Sequence, residues 1–242
     1  MNQKLCKKLN YGIAILLNRA ILNEYNLPIH YCNSDIYPDF IALNTEKSKY
    51  KITPNTAVAF YAFDKTFDSK NGLYNAIYYQ DKRLLKKFRK IYKGVKFVIA
   101  PDYSLYDDIW QFENYSRLLK IRVIMLWFTL EIGAVVIPNA IYLSSDKLPI
   151  YYSGFEECNM MCFSTKGHMK HSENRNKIKE NVKYVTDNLN LKIILVYTCC
   201  ASDTETLKLF EYAIQHGITV ILVDNTLRQR NKILMTRREI NG

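Results

Sequence analysis

Three apolar stretches decide the fold: VKFVIAPDYS at residues 95–104, AVVIPN at 134–139 and NMMCFSTKG at 159–167. Each begins as a short apolar run and stops at a proline or at small polar residues. Such runs are typical of strands that are buried on both faces, as in parallel sheets. In α/β proteins, ligands bind at the carboxyl ends of such strands. These stretches therefore predict a parallel sheet and the edge of that sheet where a site should lie.

Further apolar runs alternate with helical patterns along the chain. Strands are predicted at 39–43, 57–63, 192–197 and 218–223, and helices at 81–94, 106–131, 174–188 and 204–216. Strand and helix alternate six or seven times, which argues for parallel βαβ units with right-handed crossovers. The pattern predicts an α/β fold of the (β/α)-barrel type, which could be incomplete or irregular. An open doubly wound parallel sheet is the alternative.

The length and composition of the chain indicate one domain. The chain has 242 residues, of which 48% are hydrophobic, so it is long enough to bury a full core. Its eight glycines and six prolines are scattered, and no Gly/Ser-rich or Pro-rich linker interrupts it. We therefore predict a single α/β domain over residues 1–242, with a helical cap at 1–26 and a basic tail at 226–242.

The positive charge favours a polyanionic partner. The formal net charge is +11, and clustered Lys and Arg gain free energy by displacing counterions from the phosphates of DNA or RNA. An AT-rich genome, which favours Lys codons, would explain part of the same excess. The most basic segment is the predicted helix at 81–94, for which a solvated outer face is the alternative. The predicted nucleic-acid contacts are Lys82, Lys86, Lys87, Arg89, Lys90 and, on another helix, Arg117. The alternative for Arg117 is an ion pair with Asp107, Asp108 or Glu113.

Several classes of protein are disfavoured. The six cysteines lack the paired spacing of metal ligands, which indicates reduced thiols in a cytoplasmic protein. The apolar region 121–143 contains Arg122, Glu131, Gly133 and Pro138, so a helix followed by a strand explains it better than a membrane span. No Gly-x-Gly-x-x-Gly or P-loop pattern follows a predicted strand, which disfavours dinucleotide and P-loop sites.

Aspartates follow three of the predicted strands. Asp64, Asp102 and Asp224 each come after an apolar run, and the carboxyl ends of parallel barrel strands converge on one mouth. Carboxylates that meet in a cleft repel one another unless a cation or a shared proton intervenes, so we expect Mg²⁺ or a raised pKa. The three are predicted as metal ligands and as catalytic residues. His168 is predicted to join them as a general base or ligand, and a solvated loop histidine is the alternative. The alternative is that each aspartate caps a helix or fixes a turn.

Short motifs at the strand ends carry a family resemblance. They are FYAFD (60–64) with Phe67, APDYSLY (100–106), NY (114–115) with Arg117, Gly133 with VIP (136–138), YSG (152–154) and FSTKG (163–167). With these motifs the chain resembles the domain of unknown function 4417 family of bacteria, their phages and mobile elements. Residues 139–142 depart from the family pattern, which has a Trp-containing strand end there. The resemblance implies a phage or mobile-element setting in the cytoplasm and no mechanism.

Three functions are consistent with the sequence. The first is a divalent-metal-dependent enzyme, such as a phosphoesterase or nuclease-like hydrolase, that acts on a phosphate-containing or nucleic-acid substrate. The second is a non-catalytic nucleic-acid-binding protein that uses the basic segment. The third is an accessory factor that binds a host protein. Oligomeric state is left open.

Overall fold

A computed structural model describes the backbone of residues 12–200 and 202–241, and the side chains of these residues as far as Arg237. The predicted helical cap at 1–26 therefore lies partly outside the described residues. Within them, Gly12–Leu17 form the short helix α1. Residues 18–39, mostly turns and irregular structure, then lead into the first strand.

Seven strands form one parallel sheet. They are β1 (Phe40–Leu43), β2 (Thr56–Ala59), β3 (Phe97–Ile99), β4 (Val135–Ile137), β5 (Met160–Ser164), β6 (Ile193–Tyr197) and β7 (Thr219–Asn225). Their order in the sheet is β4-β3-β2-β1-β7-β6-β5. Strands that neighbour in sequence therefore neighbour in space, and β7 lies beside β1. This is the order of a barrel, whereas a doubly wound sheet reverses its order at a switch point.

The two remaining edges, β4 and β5, meet just beyond the end of β4. The Ala140 N–H donates to the Cys162 carbonyl, and the Cys162 N–H donates to the Pro138 carbonyl, both at 2.8 Å. This parallel bridge sets Asn139 opposite Cys162 and nearly closes the sheet on itself. The predicted barrel-like α/β fold is confirmed.

Helices connect the strands and cover the outside of the sheet. They are α2 (Asp64–Phe67), α3 (Leu73–Tyr78), α4 (Lys82–Ile91), α5 (Gln111–Trp127), α6 (Leu148–Tyr152), α7 (Ser172–Asn188), α8 (Asp203–Leu207), α9 (Glu211–Gln215) and α10 (Thr226–Asn241), with a 3₁₀ turn at Lys47–Lys49. Helix α5 continues as a π-helical turn, Phe128–Ile132, and ends at Gly133, whose φ of 72° favours glycine. None of the helices in the described part of the chain is long and apolar enough to cross a membrane.

The predicted helix at 204–216 is two helices in the structure. The chain breaks between α8 and α9, where Leu209 and Phe210 are both buried in the core. At the break the Leu209 N–H donates to the Thr206 carbonyl at 3.1 Å and the Phe210 N–H donates to the Leu207 carbonyl at 2.9 Å. These i→i−3 bonds are tighter than those of an α-helix and separate the two helices.

Continuous burial explains why the strands are short apolar runs without alternation. Every residue of β2, β3 and β5 is buried, because side chains on one face fill the barrel and those on the other pack under helices. All seven strands point the same way, so the segments that follow them gather at one mouth.

Candidate active site at the mouth of the barrel

A cavity of about 440 Å³ lies at the carboxyl ends of β3 and β4. The segments that follow these strands form its wall, together with side chains from α5, from the loop after β5 and from α7. Its polar lining includes Asp102, Asp107, Arg122, Asn139, His168 and Lys177. Pockets of this volume accept small organic molecules. The cavity lies at the edge of the sheet where the sequence predicts a site.

Asp102 follows β3 and lines the cavity with a half-buried carboxyl. Asn139, which follows β4, donates from Nδ2 to Asp102 Oδ1 at 3.0 Å. Desolvation and the neighbouring Asp64 carboxylate raise the pKa of Asp102 to about 7, against smaller lowering effects of the Asn139 hydrogen bond and of Lys166. Both protonation states are therefore populated near neutral pH, as a general acid or base requires.

A buried chain of hydrogen bonds fixes the orientation of Asn139. Tyr61 donates its hydroxyl to Asn139 Oδ1 at 2.7 Å, and the same hydroxyl lies 3.1 Å from Cys162 Sγ. Since the Asn139 oxygen faces Tyr61, its Nδ2 group is the one that faces Asp102. Lys166 Nζ donates to the Tyr61 carbonyl at 2.9 Å, which places a cation at the mouth. These contacts tie the segments after β2, β3, β4 and β5 to one carboxyl.

Tyr61→Phe is expected to destabilise the protein by about 1–3 kcal/mol, because the buried Asn139 oxygen loses its donor. It should also raise the pKa of Asp102 further, because a less firmly held Asn139 stabilises the carboxylate less. Urea denaturation measures the first effect, and NMR of ¹³C-labelled carboxyl groups measures the second. Tyr50→Phe is the control: the Tyr50 hydroxyl donates to the Asn44 carbonyl at 2.6 Å, so stability should fall while the Asp102 titration stays unchanged. Equal titrations in the two variants would contradict the positioning role of Tyr61.

His168 lies on the loop after β5 and lines the same cavity as Asp102. Its ring centre is 4.7 Å from that of Tyr142. Burial lowers the pKa of His168, so the imidazole is neutral at pH 7 and available to accept a proton. The structure thus places Asp102 and His168 on one cavity, and their catalytic roles stay predictions.

Asp64 is close to Asp102, but hydrogen bonds from within the protein occupy its carboxylate. Arg117 Nη1 donates to Asp64 Oδ2 at 3.0 Å, and the Ser104 N–H donates to Oδ1 at 3.2 Å. Arg117 Nη1 also donates to the Ser104 carbonyl at 2.6 Å. Asp64 and Arg117 therefore anchor the cavity loop to α5. Arg117, predicted as a nucleic-acid contact, serves here as an internal ion-pair partner.

The structure does not bring Asp224 to the cavity. Adjacent strand residues project from opposite faces of a sheet. Asn225 is buried and donates to the Thr198 carbonyl at 2.9 Å, whereas the Asp224 carboxylate accepts from Gln229 Nε2 of α10 at 2.6 Å and from the Asn225 N–H at 3.0 Å. Asp224 thus lies on the outer face, beside the helix that follows β7.

The predicted magnesium ligands do not fit a metal ion. The carboxylate of Asp64 accepts hydrogen bonds from Arg117 and Ser104. The carboxylate of Asp224 accepts from Gln229 and Asn225 and lies away from the cavity. Between residues 12 and 241, apart from Ala201, the structure contains no group of three or more His, Cys, Asp or Glu side chains that could hold a metal ion. The three-aspartate metal centre is therefore not supported.

Comparison with known proteins gives one match. The sequence profile of Domain of unknown function (DUF4417) matches residues 21–214. The chain belongs to the DUF4417 family. The match contains β1–β6 and all residues that line the cavity, whereas β7 and α10 follow it. No curated protein and no solved structure matches the chain significantly.

Residues of four of the motifs that carry the DUF4417 resemblance contact one another in the structure. Asp64, Ser104 and Arg117 come from three different motifs and form the hydrogen-bonded group described above. Tyr61 and Lys166 come from the first and the last of the motifs and meet at the Tyr61 carbonyl. Residues of these four motifs of the DUF4417 protein therefore meet beside the cavity.

Arg122 lines the cavity of this DUF4417 chain from within α5 but was not among the predicted site residues. Its Nη2 donates to the carbonyls of Tyr151 and Ser153, both at 2.8 Å, and its guanidinium carbon lies 3.5 Å from the centre of the Phe155 ring. Burial lowers the pKa of Arg122 to about 9. A charged residue inside an apolar helical run was the available signal, because a buried arginine needs a structural or functional partner.

Asp107 and two lysines form a second polar group on the cavity wall of the DUF4417 fold. Lys147 Nζ donates to the Asp107 carbonyl at 2.8 Å, and Lys177 Nζ donates to Asp107 Oδ2 at 3.1 Å. The Ser144 N–H and hydroxyl both donate to Asp107 Oδ1 at 2.9 Å. Although desolvation opposes them, these contacts lower the pKa of Asp107 to about 2, so Asp107 is a permanent anion that fixes the loops.

Proposed function

We propose that the protein is an enzyme that binds a small phosphate-containing molecule in the cavity and transfers a proton through Asp102. The observation that carries the proposal is the half-buried Asp102 carboxyl, whose pKa of about 7 is reached on the wall of a cavity of about 440 Å³. A carboxyl in water has a pKa near 4 and is almost fully ionised at neutral pH. A carboxyl that titrates near pH 7 can donate a proton as well as accept one.

The chain supplies each role that such a reaction needs. Asp102 gives or takes the proton at the reacting atom, and Asn139 holds the Asp102 carboxyl in place. His168, neutral because burial lowers its pKa, is the candidate to move a second proton. No step passes through a metal ion, because the carboxylates do not form a ligand set.

Cations around the cavity support an anionic substrate. Lys177 lines the cavity, where it pairs with Asp107, and Lys166 lies at the mouth, exposed to solvent. An ammonium group has three N–H donors, and Lys166 uses one of them to donate to the Tyr61 carbonyl, which leaves two for a ligand. Lysine at the entrance attracts phosphate and can stabilise negative charge that develops during the reaction. Phosphate-containing small molecules are therefore the class of substrate that we favour.

The test is a ligand screen followed by a turnover assay. Mononucleotides and sugar phosphates, each paired with its unphosphorylated parent, are screened by thermal shift with wild-type protein, Asp102→Asn and Asp187→Asn. Asp187 is the matched control, since it pairs with Lys183 on the exposed face of α7. We expect phosphorylated compounds to raise the melting temperature of all three proteins, and ³¹P NMR and mass spectrometry to detect conversion by wild type and Asp187→Asn.

Asp102→Asn is expected to lose at least 100-fold in turnover, as is typical when a general acid or base is removed. The wild-type rate should change with an apparent pKa near 7, and this limb of the pH profile should be absent from any residual activity of the variant. The proposal fails if no phosphorylated compound binds, or if Asp102→Asn converts a bound compound as fast as the Asp187→Asn control.

A further inference from the structure

The outer face of α4 is a dense cluster of exposed cations. Helix α4 has ten residues, begins at the Asp81 cap and buries Leu84 and Leu85 against the core. The opposite side, with the residue just beyond the helix, carries six exposed basic side chains, which we call the α4 basic face: Lys82, Arg83, Lys86, Lys87, Lys90 and Lys93. Within the described chain, none of the six has a side-chain ion pair or hydrogen bond. The surface therefore presents six uncompensated positive charges.

Several other cations of the described chain are paired. Arg89, on the same helix, donates to Glu131 Oε2 at 2.8 Å and thus leaves the α4 basic face. Lysines of the cavity wall pair with Asp107, and Lys120 pairs with Asp68. By contrast, residues 82–101 contain no acidic side chain. Positive charge is therefore more concentrated on the α4 basic face than the net charge of the whole protein would give.

This excess opposes helix formation. Lys82 and Lys86, Arg83 and Lys87, and Lys86 and Lys90 each stand four residues apart, where like charges repel on a helix surface. The repulsion destabilises α4, and nothing in the described structure offsets it across the face. A polyanion that binds outside the protein would offset it.

We propose that the α4 basic face binds the phosphate backbone of nucleic acid without regard to base sequence. The residues of the α4 basic face contribute charge alone: Leu84 and Leu85 are buried, and no large hydrophobic side chain of α4 itself is exposed. A membrane-binding helix would offer apolar side chains to the lipid, and a base-stacking surface would offer aromatic rings. Once a membrane and stacked bases are set aside, the partner that fits a row of Lys and Arg is a duplex backbone with its regularly spaced phosphate charges.

The expected size of the interaction follows from the length of the helix. Ten residues span about 15 Å, which suits contact with roughly three to four phosphates of DNA or RNA. The logarithm of the binding constant should then fall with the logarithm of salt concentration with a slope of about −3. The dissociation constant should be in the micromolar range or weaker at physiological salt, as is usual for binding without base contacts.

The experiment compares two triple variants that change net charge equally. Lys86→Glu/Lys87→Glu/Lys90→Glu alters the α4 basic face, and Lys179→Glu/Lys192→Glu/Lys208→Glu alters exposed lysines across the barrel, beyond β5 and β6. Fluorescence anisotropy follows binding to labelled DNA and RNA duplexes of mixed sequence between about 50 and 200 mM NaCl, the range over which backbone contacts weaken strongly. Circular dichroism confirms that both variants are folded.

We expect the α4 variant to bind the duplexes at least 10-fold more weakly at the lowest salt concentration and to lose most of the salt dependence. The affinity and the salt dependence of the control variant should stay within about 3-fold of wild type, because the phosphate contacts are local. Equal losses in the two variants would overturn the proposal, because they would mean that net charge alone matters. So would the absence of binding by wild type, or tighter binding to phosphatidylserine vesicles than to either duplex. Because α4 lies outside the cavity, none of these outcomes depends on turnover by Asp102.

Discussion

Asp102→Asn is expected to stabilise the protein above pH 7 by roughly 2–4 kcal/mol while it removes the proposed proton transfer. The carboxyl has a pKa near 4 in the unfolded chain and about 7 in the folded protein. Between these values the folded state binds more protons than the unfolded state, so stability falls as pH rises from about 4 to about 7 and then stays level. An asparagine has no such titration, and it can still accept the hydrogen bond from Asn139.

The measurement is urea denaturation of wild type and Asp102→Asn at closely spaced pH values from 4 to 9. The difference in unfolding free energy should be small near pH 4, grow through pH 6 and level off above pH 7. Asp107→Asn is the contrasting control, because the folded pKa of Asp107 is lowered to about 2. Its carboxylate contributes stability above pH 4 that is lost as pH falls toward 2, so this variant should be less stable than wild type at neutral pH. A constant difference for Asp102→Asn across the pH range would mean that Asp102 titrates normally.

Asn114→Ala is expected to destabilise the protein by about 2–4 kcal/mol and to loosen the wall of the cavity. Asn114 is fully buried on α5, and its amide makes both hydrogen bonds to one residue of the cavity loop: Nδ2 donates to the Tyr106 carbonyl at 2.7 Å and Oδ1 accepts from the Tyr106 N–H at 3.3 Å. The alanine variant leaves both backbone groups without a partner and a small void behind them.

Asn188→Ala is the matched control for Asn114→Ala. Asn188 Nδ2 also donates to a backbone carbonyl, that of Tyr184 at 2.8 Å, but at an exposed position where water can replace it. Its loss should cost less than about 0.5 kcal/mol. Hydrogen exchange separates a local from a global effect: the Tyr106 amide should exchange at least 10-fold faster in Asn114→Ala and unchanged in Asn188→Ala. Equal stability of the two variants would show that Asn114 does not hold the loop.

Much of the fold was predictable because its causes are local. Residues 97–99 and 135–137 are short apolar runs closed by proline, and both are strands buried on two faces, as the pattern predicts. The same reasoning put Asp102 and His168 at the mouth, since each follows a strand in one parallel sheet. The confirmed family rests on motifs in the same segments.

Other parts of the site depend on contacts that sequence patterns do not encode. Asp224 comes after an apolar run, as Asp102 does, but it is still part of β7. The buried Asn225 beside it faces inward and leaves Asp224 on the outer face, and this orientation is set by register with the neighbouring strand. Asp64 was expected at a metal, yet its partner Arg117 lies 53 residues away and meets it only in the folded chain. Cys162 and Asn139 likewise meet only because the barrel closes there.

The closure between β4 and β5 is the briefest pairing of the sheet, a single bridge beside a β5–β6 ladder in register over five residues. The free energy of local opening is smaller for a single bridge than for a long ladder of hydrogen bonds, so the β4–β5 closure should open before the rest of the barrel. Asn139 lies in this closure and holds the Asp102 carboxyl. Heating should therefore weaken the hydrogen bond from Asn139 to Asp102 at temperatures where the sheet as a whole is still intact.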